Sequence, residues 1–351
     1  MKILVISLAG IGDTLIATPL LRELRENFPA ATIDALVMWP GAKDLLEHNP
    51  HVNRVFQKNL MKCGRLAAVN FLRSLKKNSY DLSINTHPQS RIHYRLAAFF
   101  AGAQTRISHE YECSGALDRW LVNQTLPQDY SRHAAENNLA VLPLIGAQIK
   151  LPAHELEIFL TTEEQNWADD FLAQNNLAGK KWLGVHVGSG GTKNLALRRW
   201  PLENFIELAR RLQQEKNLPV LFFGGPEEQA NHEKIRAALP AAIFPPTKNL
   251  RQAAAVIRRA QFFLSVDTAL MHVAAAMKVR EQVVIETPTW NKPIEPYGNP
   301  FTLVRNPVVN GRNLDYYRYD GGDIKGSRKE LLAAMESVTV ADVLAAVTKL
   351  I

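Results

Sequence analysis

The residues best suited to chemistry in this 351-residue chain sit in loops that follow short apolar runs. The first loop is Leu8-Ala9-Gly10-Ile11-Gly12-Asp13-Thr14. Gly10 and Gly12 permit a tight turn, and Asp13 places a carboxylate where a helix begins. Such an aspartate caps a helix. Alternatively, kept ionised by the positive end of the helix, it takes a proton from an attacking hydroxyl. Position alone leaves both roles open. A dinucleotide fingerprint would need a third glycine where Leu15 stands and an acid at the end of the second strand, whereas Asp34 lies inside that strand.

The second loop, Gly188-Ser189-Gly190-Gly191-Thr192-Lys193, runs on to Arg198-Arg199-Trp200-Pro201. Glycines after a strand let backbone N–H groups approach an anion. Ser189, Thr192, Lys193, Arg198 and Arg199 add donors and charge ahead of a helix N-terminus, the composition of a diphosphate cradle. The spacing is not that of a P-loop. His186, inside the preceding strand, reads as a core histidine.

The third loop is Ser265-Val266-Asp267-Thr268-Ala269-Leu270-Met271-His272. Asp267 and Thr268 open a helix, and His272 follows Thr268 on the same helical face. A hydroxyl, free N–H groups and an imidazole can there meet phosphate oxygens. Alone, the pattern is also that of a cap beside a buried histidine; loops of this kind at matching strand ends favour a ligand. The fourth loop, Gly224-Gly225-Pro226-Glu227-Glu228, offers a carboxylate to ribose hydroxyls or simply acids to a helix's first turn. Met271 and Met277 read as core, and Trp39 and Trp290 as loop residues available to line a site.

The elements that must position these loops alternate strand and helix. Lys2–Leu8, Thr32–Val37, Val52–Phe56 and Asp81–Asn85 read as strands, with Leu15–Asn27 a helix ended by Pro29. The series restarts with strand Lys181–Val187, helix Leu202–Lys216, strand Pro219–Phe223 and helix Pro226–Leu239. It continues with helix Leu250–Arg259, strand Phe262–Val266, helix Ala269–Met277 and strand Gln282–Glu286. This order implies two Rossmann-like halves with mostly parallel sheets, connected near Gly146–Thr162. Residues 307–324 read as a long loop and Val340–Leu350 as a closing helix. Ligands of open α/β sheets lie outside the carboxyl ends of the strands, so the four loops face one expected cleft.

The net charge is +7, and the excess is local. Residues 54–106 hold Arg54, Lys58, Lys62, Arg65, Arg73, Lys76, Lys77, Arg91, Arg95 and Arg106 against a single acid, Asp81. Such a field concentrates anionic partners; no nucleic-acid motif accompanies it. Two cysteines, Cys63 and Cys113, form no framework or metal pattern. The N-terminus lacks a small-residue cleavage site and reads as a buried strand, and no apolar run is long enough to span a bilayer. The cytoplasm is the expected compartment.

In their order and spacing these motifs resemble glycosyltransferase family 9, the inverting lipopolysaccharide heptosyltransferases. The carriers are Gly12-Asp13 with Thr18-Pro19-Leu20-Leu21 and Phe28-Pro29, Trp200-Pro201 behind a basic residue, and Gly224-Gly225-Pro226. Ser265-Val266-Asp267-Thr268 with His272 and Ala274-Ala275-Ala276, and Thr287-Pro288-Thr289, complete the set. The resemblance covers most of the chain. It implies an α/β protein of glycosyltransferase-B architecture, two Rossmann-like domains facing a central cleft. Residues 1–160 would bind the acceptor and residues 161–351 the nucleotide-sugar, with the last helix packing back on the N-terminal domain.

By the same resemblance the donor is ADP-heptose and the acceptor a lipid-linked lipopolysaccharide core. Asp13 falls on the proposed catalytic base, beside Gly12. Ser189 and Arg198 fall to the diphosphate, for which the glycine loop adds Thr192 and Lys193 as donors; Glu228 falls to the ribose, and Asp267, Thr268 and the N–H of Ala269 to sugar and diphosphate. His272 falls near the phosphates and Lys248 at the adenine. The chain departs from the family in having Arg198 where lysine is frequent, Ala269 for glycine, and Lys248 where an apolar residue is expected. Gly12, Lys62, Arg65, Arg91 and Arg95 are the acceptor candidates, and the basic face suits an anionic membrane. No Asp-x-Asp-like metal motif lies in these loops, so neither metal nor cofactor is expected. Other readings are a related enzyme with another nucleotide-sugar or acceptor, a sugar-nucleotide epimerase, and a non-catalytic module binding anionic glycan.

Overall fold

Strand β1 (Lys2–Ser7) is apolar from Ile3 onward because both its faces are covered: Ile3, Leu4, Val5 and Ile6 are at most 2% exposed. Successive side chains alternate. Ile3 and Val5 join Leu20, Leu24, Ile33 and Leu139 on one face of the sheet; Leu4 and Ile6 join Leu72, Leu75, Tyr80 and Ala98 on the other. The computed structural model describes residues 1–152, 155–191 and 194–351. The chain forms two compact units, Met1–Phe159 with Tyr319–Gly321, and Leu160–Arg318 with Gly322–Ile351.

In the first unit β1 is joined by β2 (Thr32–Val37), β3 (Arg54–Gln57), β4 (Leu82–Asn85), β5 (Thr105–Glu110) and β6 (Gln124–Pro127). All pair in parallel, in the order β3-β2-β1-β4-β5-β6. The chain builds outward to β3 and then returns to lay β4 beside β1. The order therefore reverses at the carboxyl ends of β1 and β4, where such sheets hold ligands. Asp34, inside β2 and fully buried, is held by Arg54 Nη2 at 2.7 Å and Tyr80 Oη at 2.6 Å. The first cation of the basic stretch is thereby paired, although its own side chain stays half exposed.

In place of one helix over Leu15–Asn27 there are two, Ile11–Ile16 and Thr18–Asn27. Pro19 has no N–H to continue the ladder, and Thr18 Oγ1 donates to the Leu15 carbonyl at 2.7 Å instead.

The second unit pairs β7 (Leu183–His186), β8 (Val220–Phe223), β9 (Phe262–Ser265), β10 (Glu281–Ile285) and β11 (Phe301–Val304) in the order β11-β10-β9-β7-β8, again all parallel. Its reversal lies between β7 and β9. The closing helix, Val340–Thr348, packs on the helix Leu202–Lys216 and on β10 and β11. Val343 and Val347 are fully buried in this unit's core. That apolar face corrects the expectation that the last helix packs on the N-terminal domain. Residues 307–324 contain one helical turn, Asn313–Tyr316.

Candidate active site

At the end of β1 the backbone turns through Gly10, the cap residue of the helix Ile11–Ile16. Asp13 occupies the third helical position, and its Oδ2 accepts the Gly10 N–H at 2.6 Å. A Cβ on residue 10 would approach that oxygen to 2.8 Å, so glycine lets the carboxylate fold back. Asp13 is half-buried and Gly12 is buried beneath the turn. Trp39 Nε1 donates to the Ala9 carbonyl at 2.6 Å. Gln89 Nε2 donates to the Ile6 carbonyl at 2.5 Å, and Gln89 Oε1 accepts from Leu8 N–H at 3.1 Å. Gln89 is in turn held by its own N–H, which donates to Tyr111 Oη at 2.8 Å; that oxygen also lies 3.0 Å from His87 Nδ1.

Gln89, Tyr111 and His87 carry no motif in the sequence. The available signal was the polar run Thr86-His87-Pro88-Gln89-Ser90 directly after an apolar strand.

The acceptor candidates separate. Lys62 and Arg65 are exposed beside the helix Arg65–Ser74. Arg91 donates through Nε, at 2.8 Å, and Nη2 to the Gly321 carbonyl. Arg95 is a correction: it is 1% exposed, inside the unit. Its guanidinium serves the Ser90 and His109 carbonyls at 3.1 and 2.8 Å and pairs with Asp118 at 3.1 Å. A buried guanidinium with its donors committed to its own fold is a structural group, not a surface contact.

In the second unit the loop after β7 folds over the end of β9. Arg198 Nη1 donates to Asp267 Oδ2 at 2.6 Å and to Thr289 Oγ1 at 2.9 Å. Thr289 Oγ1 donates to the same Asp267 oxygen at 3.1 Å. All three residues are at least nine-tenths buried. Arg198 Nε is buried with no protein partner among the described residues.

Thr268 caps the helix Ala269–Ala276, its Oγ1 accepting Met271 N–H at 3.4 Å and lying 3.1 Å from His186 Nδ1. Ala269 is the first helical residue, and His272 lies one turn on, its Nδ1 buried with no partner among the described residues. The structure thus gathers Arg198, Asp267, Thr268, Ala269 and His272, and it adds Thr289 and His186. Ser189 acts within its loop: its hydroxyl donates to the Leu195 carbonyl at 2.9 Å and accepts from Arg199 Nε at 3.3 Å. Its hydroxyl is thereby engaged within the loop.

Glu228 folds back to accept Gly225 N–H at 2.9 Å, with Arg199 at 4.0 Å. A Cβ on Gly188 would fall 2.7 Å from the Glu228 carboxyl carbon, so glycine there lets the Glu228 side chain lie against the loop. Burial raises the Glu228 carboxyl, against the Gly225 N–H and the Arg199 charge, which lower it. Lys248 is exposed, its N–H donating to Gln252 Oε1 at 2.8 Å. Trp290 is 3% exposed in a cluster with Met271 and Val284, so it packs the core and lines no site. Thr192 and Lys193 lie outside the described residues.

Four of the buried histidines are expected to make the protein acid-labile. Burial, reinforced by the Arg198 charge, drives His272 down to about 4. Burial drives His186 to about 3 and His109 to about 4, and pushes His87 well below its ordinary value. The unfolded imidazole takes its proton near pH ~6.5. Between that value and about 4 the unfolded chain therefore holds protons that the folded chain does not, and stability falls with pH across the window. The loss is roughly 1 kcal/mol per histidine per pH unit. Urea midpoints are expected to drop steeply from pH 7.5 to pH 5; a flat series would contradict the burial of these rings.

Two all-parallel Rossmann-like units, with carboxylate, guanidinium and hydroxyl groups gathered at a strand-order reversal, define the class: a glycosyltransferase of B-type architecture. Residues 68–317 match the sequence profile of glycosyltransferase family 9 (heptosyltransferase). The chain belongs to that family. It is 28% identical over 292 residues to lipopolysaccharide heptosyltransferase 2 of Escherichia coli K12, covering 79% of this chain and 80% of the relative. Its fold is that of E. coli ADP-heptose lps heptosyltransferase II, with a TM-score of 0.71 at 20% identity over 100% of this chain and 98% of that one. E. coli heptosyltransferase WaaC with ADP-2-deoxy-2-fluoro heptose matches with a TM-score of 0.67 at 18% identity, over 90% and 98% of the two chains.

Proposed function

We propose that this protein moves heptose from ADP-heptose to the inner core of lipopolysaccharide with inversion at the anomeric carbon. The observation that carries the donor assignment is the buried Arg198–Asp267–Thr289 cluster beside Thr268 and His272. A buried cation whose Nε has no protein partner among the described residues suits a diphosphate, and a carboxylate fixed beside it suits sugar hydroxyls. The family and its named relatives support the same reading.

In the proposed reaction the acceptor oxygen bonds to the anomeric carbon as its proton passes to Asp13. The bond from that carbon to the diphosphate oxygen breaks, and ADP departs with the electron pair. Arg198, Thr268 and the N–H of Ala269 face the charge that grows on the departing diphosphate, which lowers the barrier more than it tightens ground-state binding. Glu228 takes the ribose. Lys62 and Arg65 meet the carboxylates and phosphates of the core.

The proposal includes no metal, because the guanidinium and the helix N-terminus supply the positive charge. ADP release is expected to be unchanged by EDTA; activity lost to EDTA and restored by magnesium would contradict this. The site of action is placed at the cytoplasmic side of a membrane. Among the described residues no single helix is long and apolar enough to cross one. Turnover against a panel of ADP-, UDP-, GDP- and CMP-sugars tests the donor. Strong preference for ADP-heptose is expected, and preference for another nucleotide would overturn it.

A further inference from the structure

The loops that leave β4, β5 and β6 bring His87, Tyr111 and Tyr130 to the carboxyl ends of their strands. A segment from far along the chain completes them. Tyr319-Asp320-Gly321 follows β11 in sequence, yet it belongs to the first unit.

Its contacts are specific. Tyr319 N–H donates to Tyr130 Oη at 2.8 Å, and the two rings stack with centroids 5.6 Å apart at 4°. The Tyr319 and His87 rings meet edge to face, centroids 5.0 Å apart at 88°. The Gly321 carbonyl accepts from Arg91 Nε and Nη2. Gly321 has φ +86°, and a Cβ there would lie 2.9 Å from Arg91 Cγ, so both the backbone conformation and the close approach call for glycine. Tyr319 is buried.

His87 carries the contact onward. Its ring stacks on Tyr111 at 5.5 Å and 9°, and its Nδ1 lies 3.0 Å from Tyr111 Oη. A buried phenol that accepts Gln89 N–H needs an acceptor for its own proton, and the neutral His87 ring supplies one. Gln89 then clasps the end of β1 through the Ile6 carbonyl and the Leu8 N–H, just before the Gly10 turn on which Asp13 folds back. Burial above all raises the Tyr111 phenol, Gln89 N–H and Arg95 lower it, and the Asp13 charge raises it, so Tyr111 is within electrical reach of that carboxylate. A continuous series of contacts thus runs from Tyr319 to the backbone that carries Asp13. A general base acts only within hydrogen-bond reach of the proton it takes, and a displacement of about 1 Å costs on the order of 100-fold in rate.

We propose that Tyr319 is a positioning residue for the transfer: held on Tyr130 and His87, it keeps Tyr111 and Gln89 in place and so fixes the turn from which Asp13 acts. The inference rests on the reading of Asp13 as the base.

The test uses the full chain. Tyr319→Ala is expected to lower kcat roughly 10- to 100-fold, with ADP affinity by calorimetry unchanged. Tyr319→Phe keeps the ring and should recover most of that loss. Gly321→Val displaces the segment without altering the ring; it should resemble the alanine variant, and it carries the test where that variant does not fold. A group that acts through Asp13 has nothing to act on once the base is gone, so on an Asp13→Asn background Tyr319→Ala should change turnover by less than about twofold. Amide exchange followed by NMR reads the same linkage without turnover. Protection of the Leu8 and Gln89 N–H groups should fall about tenfold or more in Tyr319→Ala, while β8 of the second unit keeps its own. Wild-type kcat or wild-type Leu8 protection in the alanine and valine variants would overturn the proposal. So would a loss that phenylalanine does not recover, or one that persists in full on the Asp13→Asn background. If Asp13→Asn alone keeps its turnover, the base assignment fails, and the exchange at Leu8 still decides whether Tyr319 holds the turn.

Discussion

Asp13→Asn is expected to lower kcat by roughly 100- to 10,000-fold, the contribution of a positioned general base, while leaving ADP binding intact. Asp13 has two jobs in the structure, and the amide separates them. Its Oδ2 accepts the Gly10 N–H and so fixes the turn after β1. An asparagine oxygen can accept that same bond, but it cannot take a proton from an attacking hydroxyl. Asp13→Ala removes both functions and adds the loss of a cap, about 1 kcal/mol. If the aspartate is the base, the two variants lose transfer about equally, and only alanine loses stability. If the aspartate only shapes the turn, asparagine keeps most of the activity. Steady-state kinetics on both variants, with ADP titration calorimetry as the control, distinguishes these outcomes. The donor groups lie on other strands in the second unit, so nucleotide affinity should not move.

The second large effect is at Arg198. Removing one partner of a buried ion pair costs about 3–5 kcal/mol because the other charge is left unpaired. The Arg198 and Asp267 side chains are only 10% and 11% exposed. Arg198→Ala is therefore expected to lower the thermal midpoint substantially. It should also lower kcat by about 100- to 1,000-fold through the lost donor to the departing diphosphate. Adding Asp267→Asn to Arg198→Ala removes the stranded charge, so the double variant should recover most of the stability and none of the activity. A double variant as unstable as the single one would show that the pair is not what holds the site. Arg198→Lys keeps the charge but not the fork. A lysine can reach Asp267 or a phosphate but cannot bond one on each edge, so KM for the donor should rise even where the protein stays folded.

Much of this was legible in the sequence, for physical reasons. Strand β2 and the helix Leu202–Lys216 were read with their observed bounds. Apolar runs and amphipathic periods announce such elements, and Pro201 sits at the start of that helix. The reversal of strand order turned motifs 70 residues apart into neighbours: Arg198 and Asp267 are separated by 69 positions and bonded at 2.6 Å. Glycine motifs and a strand-end aspartate marked both loops, but no spacing rule could say that they bond.

Burial was the hidden variable elsewhere. Arg91, Arg95 and Arg106 read alike as parts of one basic stretch, yet Arg95 is 1% exposed while Lys62 and Arg65 face water. Charge composition does not record which helical face a residue occupies. Trp290 read as a loop residue because it lies between Thr287-Pro288-Thr289 and Asn291, and its ring turns inward to Met271. Gln89 went unnoticed because a single glutamine carries no motif. Its role follows only from β4 lying against β1.

The account's central claim is a transfer of heptose that requires both substrates. The measurement is ADP release from ADP-heptose, with and without a delipidated lipopolysaccharide core acceptor, with the anomeric configuration of the product read by NMR. Release that depends on acceptor and a product linkage inverted relative to the donor are expected. ADP released at the same rate without acceptor, a retained configuration, or no binding of ADP at all would contradict it.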